Sequence, residues 1–339
     1  MPPEPPIAQE PGTSRRSKLA ASMGKKGHGR RLALREFIPM LSWVAAWAIV
    51  ALAVGHADTV RLLAAVAFVR CARYLTAPTS APLLRARMEA RGKVHGQARR
   101  TVMAVEAVAL LASVVVLALL IRLLLAADQQ VTAGFCLIMG TTLPARAMAP
   151  LAAGRKTEEF YQSLVSITGL ILAAIAWGID GTLIGFAIAF AAREWVALAL
   201  AALLAKPRAS EGEPAPLHWR QVADHSLVSS RRRFTYRVSK NLLKFVLGPF
   251  GSIAARTGRG FQIDRKLDRF VPRSRASLAV LTFALTGGGI ALILLLPKPA
   301  LLLAAATLMR VGASAGNILL WSVLGSGDAI PIDDEDDDD

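Results

Sequence analysis

Apolar residues in this chain come in long unbroken runs separated by short polar stretches. Eight runs stand out, at 38–55, 60–77, 102–126, 131–151, 162–179, 183–205, 276–296 and 300–325. Each approaches the ~20 residues that a helix needs to cross the hydrocarbon core of a bilayer. A backbone inside lipid must pair its own polar groups, so runs of this length predict helices. The period-two alternation of a membrane β-strand is missing. The pattern predicts an all-α polytopic membrane helix bundle of about eight transmembrane helices.

The polar positions fix an orientation. The N-terminal 37 residues hold 8 Lys and Arg, the segment 78–101 holds 6, the turn after the fourth run holds 3, and residues 206–275 hold 16. The alternate connections hold only Lys298. Basic connections stay on the cytoplasmic side, so an even number of spans places both termini in the cytoplasm. The expected location is the cell inner membrane, multi-pass.

These divisions give five regions. Residues 1–37 read as a disordered basic N-terminal tail and 38–205 as a six-helix transmembrane lobe. Residues 206–275 form a basic cytoplasmic segment, and 276–325 a two-helix transmembrane hairpin. Residues 326–339 form an acidic tail ending in DDEDDDD. From Phe234 the cytoplasmic segment mixes Leu242, Leu243, Phe245 and Phe250 with Lys240 and Lys244. It reads as a basic interfacial helix on an anionic leaflet, with a re-entrant 240–256 as the other arrangement.

Composition alters little in this picture. Of 339 residues 54% are hydrophobic but only 6% aromatic, so the apolar mass is aliphatic, as suits helices facing lipid. The formal net charge of +16 is concentrated between the runs, which points to lipid headgroups and excludes nucleic acid as the expected partner. Cys71 and Cys136 both lie in apolar runs without metal-site neighbours, so neither a disulfide framework nor a metal site is expected.

Candidate chemistry lies in the charges inside the runs, each of which costs about 2.5–3.5 kcal/mol to insert. Arg70 and Arg73 are one helical turn apart in the second run, and Glu106 enters the third from the same side. Arg193 and Glu194 lie mid-way along the sixth run, and Arg310 at similar depth in the eighth. One reading is a cationic cavity between helices that captures an anionic group, because Arg keeps its charge when buried and offers five donors. The other is structural, with Arg70 paired to Glu106, and Arg73 and Arg146 snorkelling to headgroups. The substrate-binding candidates are Arg70, Arg73, Arg193, Glu194, Arg310 and Glu106.

Gly312 and Gly316 form a GxxxG, read as a helix-packing device. Gly287, Gly288 and Gly289 offer either a hinge or a packing kink. Asp180-Gly181 opens like the signature of membrane phospho-alcohol transferases, but the later metal-binding aspartates are missing. There is no P-loop and no ligand spacing among the histidines, so no catalytic residue, cofactor or enzyme activity is expected.

Two stretches carry a family likeness: LPARAMAPLAAGRKTEEFYQSL at 143–164 and WGIDGTLIGFAIAFAAREWVALALAALL at 177–204. They resemble the fourth-to-sixth spans of polysaccharide flippases in the multidrug/oligosaccharidyl-lipid/polysaccharide exporter superfamily. The resemblance extends over 38–205. It implies that Arg70, Arg73 and Arg193 face a cavity and hold a lipid pyrophosphate. The chain departs from the family in having two runs after residue 205, where a full member has a second lobe.

The expectation is therefore a membrane transporter-like protein that moves or binds a lipid-linked saccharide or another anionic lipid. The alternative is a non-transporting membrane scaffold of an envelope polysaccharide assembly system. The expected partners are membrane lipids and lipid-linked oligosaccharide. A second copy of the chain or a polysaccharide-assembly protein would supply the missing lobe.

Overall fold

The computed structural model describes residues 38–78, 96–152, 158–204, 218–247, 274–295 and 298–325. Among them all regular structure is helical. In chain order the helices are α1 (Ile38–Val54), α2 (His56–Thr76), α3 (Gly96–Ala126), α4 (Gln130–Gly140) and α5 (Thr142–Ala152). They continue with α6 (Glu158–Ile179), α7 (Leu183–Leu204), α8 (Trp219–Leu247), α9 (Arg275–Leu295) and α10 (Pro299–Leu324). The basic N-terminal tail and the acidic C-terminal tail lie outside the described residues.

Five helices, α3, α6, α7, α9 and α10, are long and apolar enough to cross a membrane. A sixth crossing results if α4 and α5, bent by 41° at Thr141, form one broken span. These are the helices of a membrane-embedded multi-pass protein. The two other apolar runs are helical but fall short in different ways. α1 is short. α2 carries Asp58, Arg61, Arg70 and Arg73, too many charges for an apolar span.

α2 is nevertheless largely buried. Leu62, Ala64, Ala65, Val66, Ala67, Phe68, Val69, Cys71 and Ala72 are all buried. It packs against α3, α4 and α10. Neighbouring helices shelter its charges, which removes the need for a uniformly apolar surface.

α10 is the centre of the bundle and α9 its rim. In α10, 67% of the most apolar stretch is buried, against 17% in α9. Small residues allow the close approach. A Cβ on Gly312 would stand 3.3 Å from the Thr282 carbonyl oxygen, and one on Gly289 3.0 Å from the Ala305 carbonyl oxygen. Gly316 lies against Leu75 of α2 as well as Thr282 of α9. The GxxxG is thus a packing device that seats α10 on two helices at once. Of the three consecutive glycines only Gly289 touches its neighbour, and α9 continues unbroken through them.

The outward faces are apolar. Val108, Leu111, Val115 and Leu119 follow one another at helical spacing along the exposed side of α3. Ile171 and Ile175 do the same on α6.

The basic segment contains a helix that starts well before Phe234, where the sequence pattern places its beginning. α8 starts at Trp219 and docks along α10 and α3. Ala223, Leu227 and Phe234 pack with Leu278, Ala315, Ile318 and Trp321. Ser230 Oγ donates to Asn317 Oδ1 at 2.7 Å. The Asn317 amide nitrogen donates to the carbonyls of Leu75 and Ala77, both at 3.1 Å. Asn317 therefore ties α10 to both α2 and α8. Of the stretch 240–256, only the part up to Leu247 lies within the described residues.

Two turns position α2 and α7. Gly55, at φ 82°, separates α1 from α2 by a single residue in a conformation open to glycine. Between α6 and α7, Gly181 has φ 60°. Asp180 accepts from the Thr182 backbone N–H at 3.1 Å and from its hydroxyl at 2.8 Å. The Thr182 hydroxyl oxygen in turn accepts from Gly185 N–H at 3.1 Å, capping α7. These bonds hold the exposed Asp180 carboxyl below the usual range for Asp, the backbone N–H being the larger cause.

Candidate functional site

The middle of α7 carries Arg193, Glu194 and Trp195 in succession, and each binds a different neighbour. Successive residues of a helix point about 100° apart, so three in a row meet three surroundings. Trp195 Nε1 donates to the Thr141 carbonyl at the α4–α5 bend, 3.1 Å away. Glu194 receives the Arg146 guanidinium from α5 on one carboxylate oxygen. On the other it receives the Tyr161 hydroxyl from α6 at 3.0 Å. Glu194 is 2% exposed.

Among the described residues Arg193 forms no ion pair, and it is 1% exposed. Its guanidinium lies over the Phe190 ring, 4.4 Å from the centroid. Phe190 stacks on Trp47 of α1 at 4.6 Å. The space for the Arg193 side chain comes from Gly169 of α6, where a Cβ would approach Arg193 Cδ to 3.0 Å. Thr168 donates its hydroxyl to the Arg193 carbonyl at 3.3 Å, tying the same two helices.

α2 brings the other half of the site. Arg70 is half-buried and interacts electrostatically with Arg146, Arg310, Glu194 and Arg193. Glu194 thus faces three guanidiniums, those of Arg146, Arg193 and Arg70, and Arg310 stands next to Arg70. Arg70 forms no ion pair among the described residues. Arg310 of α10 donates to the Tyr74 hydroxyl at 3.4 Å, with its Cζ 5.0 Å from the Tyr74 ring centre. The Nε atoms of Arg146, Arg193 and Arg310 are buried without a hydrogen-bond partner among the described residues. Buried donors of this kind are costly unless an acceptor reaches them.

Of the sequence candidates, Arg70, Arg193, Glu194 and Arg310 come together here. Arg73 and Glu106 do not join them. They form their own ion pair between α2 and α3, with side-chain exposures of 11% and 5%. The partner of Glu106 is thus Arg73, where the sequence reading had Arg70. Arg146 does not snorkel outward but turns inward to Glu194. Sequence reasoning missed Tyr74 and Tyr161 as well. Tyr161 stands within the EEFYQSL stretch of the family likeness, which was the only pointer to it.

The arrangement suits binding of an anion with several acceptor oxygens. Guanidiniums recognise phosphate in a planar, two-pronged geometry. Among the described residues no three His, Cys, Asp or Glu side chains gather where a metal ion would sit. Cys71 and Cys136 are both buried free thiols. No family model matches this chain, no curated protein matches it, and no solved structure matches its fold.

Proposed function

We propose that this chain is a transporter-like protein of the bacterial inner membrane that captures the phosphate of a lipid-linked saccharide or another anionic lipid between α2, α5, α7 and α10. The observation that carries this reading is the charge imbalance among the described residues: Glu194 faces Arg146, Arg193 and Arg70, and Arg310 stands next to Arg70. Such an excess inside apolar helices is expensive when empty and favourable when a phosphate fills it. In this reading the eight runs are eight spans, with both termini in the cytoplasm. The likeness to polysaccharide flippases over 38–205 is the source of the substrate class. A rocking of the helix bundle would follow capture, with a second copy or partner completing the lobe.

The test is Arg193→Ala in liposomes containing a fluorescent lipid diphosphate. Movement across the bilayer should fall to the protein-free background while the melting midpoint in detergent stays within a few degrees. Retained movement by a folded Arg193→Ala protein rules out arginine capture.

A second reading has its own support. Arg73 and Arg146 are both engaged by buried carboxylates, as a closed, non-transporting scaffold of an envelope polysaccharide assembly would have them. In that case wild type and Arg193→Ala would behave alike at background level, and the basic segment would be the working surface.

A further inference from the structure

Glu194 holds the position that phosphate capture assigns to a bound anion. Its carboxylate faces Arg146 of α5, Arg70 of α2 and its own neighbour Arg193. Tyr161 of α6 donates to its second oxygen at 3.0 Å. These are the charged and titratable groups that face it among the described residues. α4, which also packs on α7, carries no charged side chain. Both carboxylate oxygens are thus engaged, as the oxygens of a bound phosphodiester would be.

Exposure differs within this group. The Glu194 side chain is 3% exposed and that of Arg146 16%. Arg70 also keeps accessible surface. An incoming anion therefore meets guanidiniums first and finds the carboxylate behind them. Arg146 and Arg193 each keep a buried Nε with no acceptor among the described residues. The arginines thus have donors that Glu194 does not use.

We infer that Glu194 is an internal competitor for this site, and that capture of a phosphodiester is coupled to uptake of one proton by its carboxylate. The inference rests on the phosphate-capture reading and adds its regulation. In the step, the hydrogen bond from Arg146 to Glu194 breaks and one from Arg146 to a phosphate oxygen forms. A proton from water goes to the freed carboxylate oxygen. One negative charge enters and one is neutralised, so the charge of the cluster is conserved. The cause is that two anions held side by side in a buried site do not both stay charged. Loss of the proton returns the carboxylate to Arg146 and expels the lipid. The sign of the pH dependence follows. The bound state holds one proton more than the free state, so affinity is greatest at low pH and falls as pH rises, by at most about tenfold per pH unit.

The experiment uses the full chain in nanodiscs of neutral lipid, with empty nanodiscs as blank. The probe is a fluorescent short-chain phosphatidylglycerol. Its single charge is constant between mildly acidic and mildly alkaline pH, so any pH dependence belongs to the protein. Wild-type affinity should fall at least about tenfold across that range, and an indicator dye in weak buffer should report uptake of about one proton per lipid bound. Glu194→Gln keeps the shape of the side chain and stays neutral. It should bind without pH dependence and without proton uptake, matching wild type at the acidic end and exceeding it about tenfold at the alkaline end. If Glu194→Gln does not fold, Tyr161→Phe serves in its place. It removes a donor to the charged carboxylate, so the fall in affinity should begin at higher pH than in wild type, and an unmoved curve counts against the coupling. Wild-type binding that is indifferent to pH overturns the coupling and leaves capture standing. So does a folded Glu194→Gln chain that keeps the wild-type slope or loses binding altogether. A wild-type chain that binds no probe at any pH sinks the capture reading, and this one with it.

Discussion

Arg70 and Arg73 sit one turn apart on α2 and live in different electrostatic worlds. Arg73 meets the buried carboxylate of Glu106 on α3. Arg70 meets three other arginines, and the one carboxylate near it, Glu194, is paired with Arg146. Three residues along a helix rotate a side chain by about 60° from its starting face, enough to hand two neighbours to two different helices. The contrast separates two uses of charge inside a membrane protein. A neutralised pair joins helices, and an uncompensated group waits for something to neutralise it.

Exchanging each arginine for methionine breaks the comparison most directly, because Met matches Arg in helix propensity and fills much of its volume. Arg73→Met strips Glu106 of its guanidinium in a buried setting and should cost about 3 kcal/mol of stability, read as a lowered melting midpoint in detergent. Arg70→Met should do the opposite. It removes one charge from a mutually repelling set and should stabilise by about 1 kcal/mol, while lipid-phosphate binding drops. If both substitutions destabilise equally, Arg70 has a hidden partner and the distinction fails.

The smallest effect lies outside the spans, at Asp180, a charge satisfied entirely by local hydrogen bonds. Its carboxyl is held below the usual Asp range by the Thr182 N–H and then by the Thr182 hydroxyl. Its contribution to stability is therefore present above the unfolded value of about 3.9 and is lost as pH falls below it. Wild type should show a slight loss of melting midpoint on acidification that Asp180→Ala lacks. An identical acid response in both chains would mean that the cap contributes nothing measurable.

Much of the architecture was legible because lipid-facing helices must be apolar over their length. The run 183–205 became Leu183–Leu204, and 276–296 became Arg275–Leu295. The fourth run concealed its bend. Gly140, Thr141 and Pro144 were present as a warning, since Pro144 withholds an amide from the helix ladder. α8 was legible only from Phe234 onward, for the converse reason. Its buried face mixes Ser226, Ser230, Thr235 and Asn241 with Val222, Ala223, Leu227 and Phe234, so it carries no hydrophobic run.

The candidate site was half legible. Charge inside an apolar run marked Arg70, Arg193, Glu194 and Arg310. What joins them was not marked, because Arg146 and Glu194 are 48 residues apart. The sequence distance between two charges says nothing about which helices stand side by side. The same gap led to Arg70 being assigned the partner that Arg73 holds.

The central place of α10 sets an order of events during synthesis. Chains emerge N-terminus first, so α10 is delivered after every helix it touches. Until it arrives, the carbonyls of Leu75 and Ala77 lack their Asn317 donor, α8 lacks the surface that Ser230 and Phe234 grip, and Tyr74 lacks Arg310. The pairs Arg73–Glu106 and Arg146–Glu194 need no part of α10. Its docking adds Arg310 to the arginines already in place and, in the same step, ties down α2 and α8.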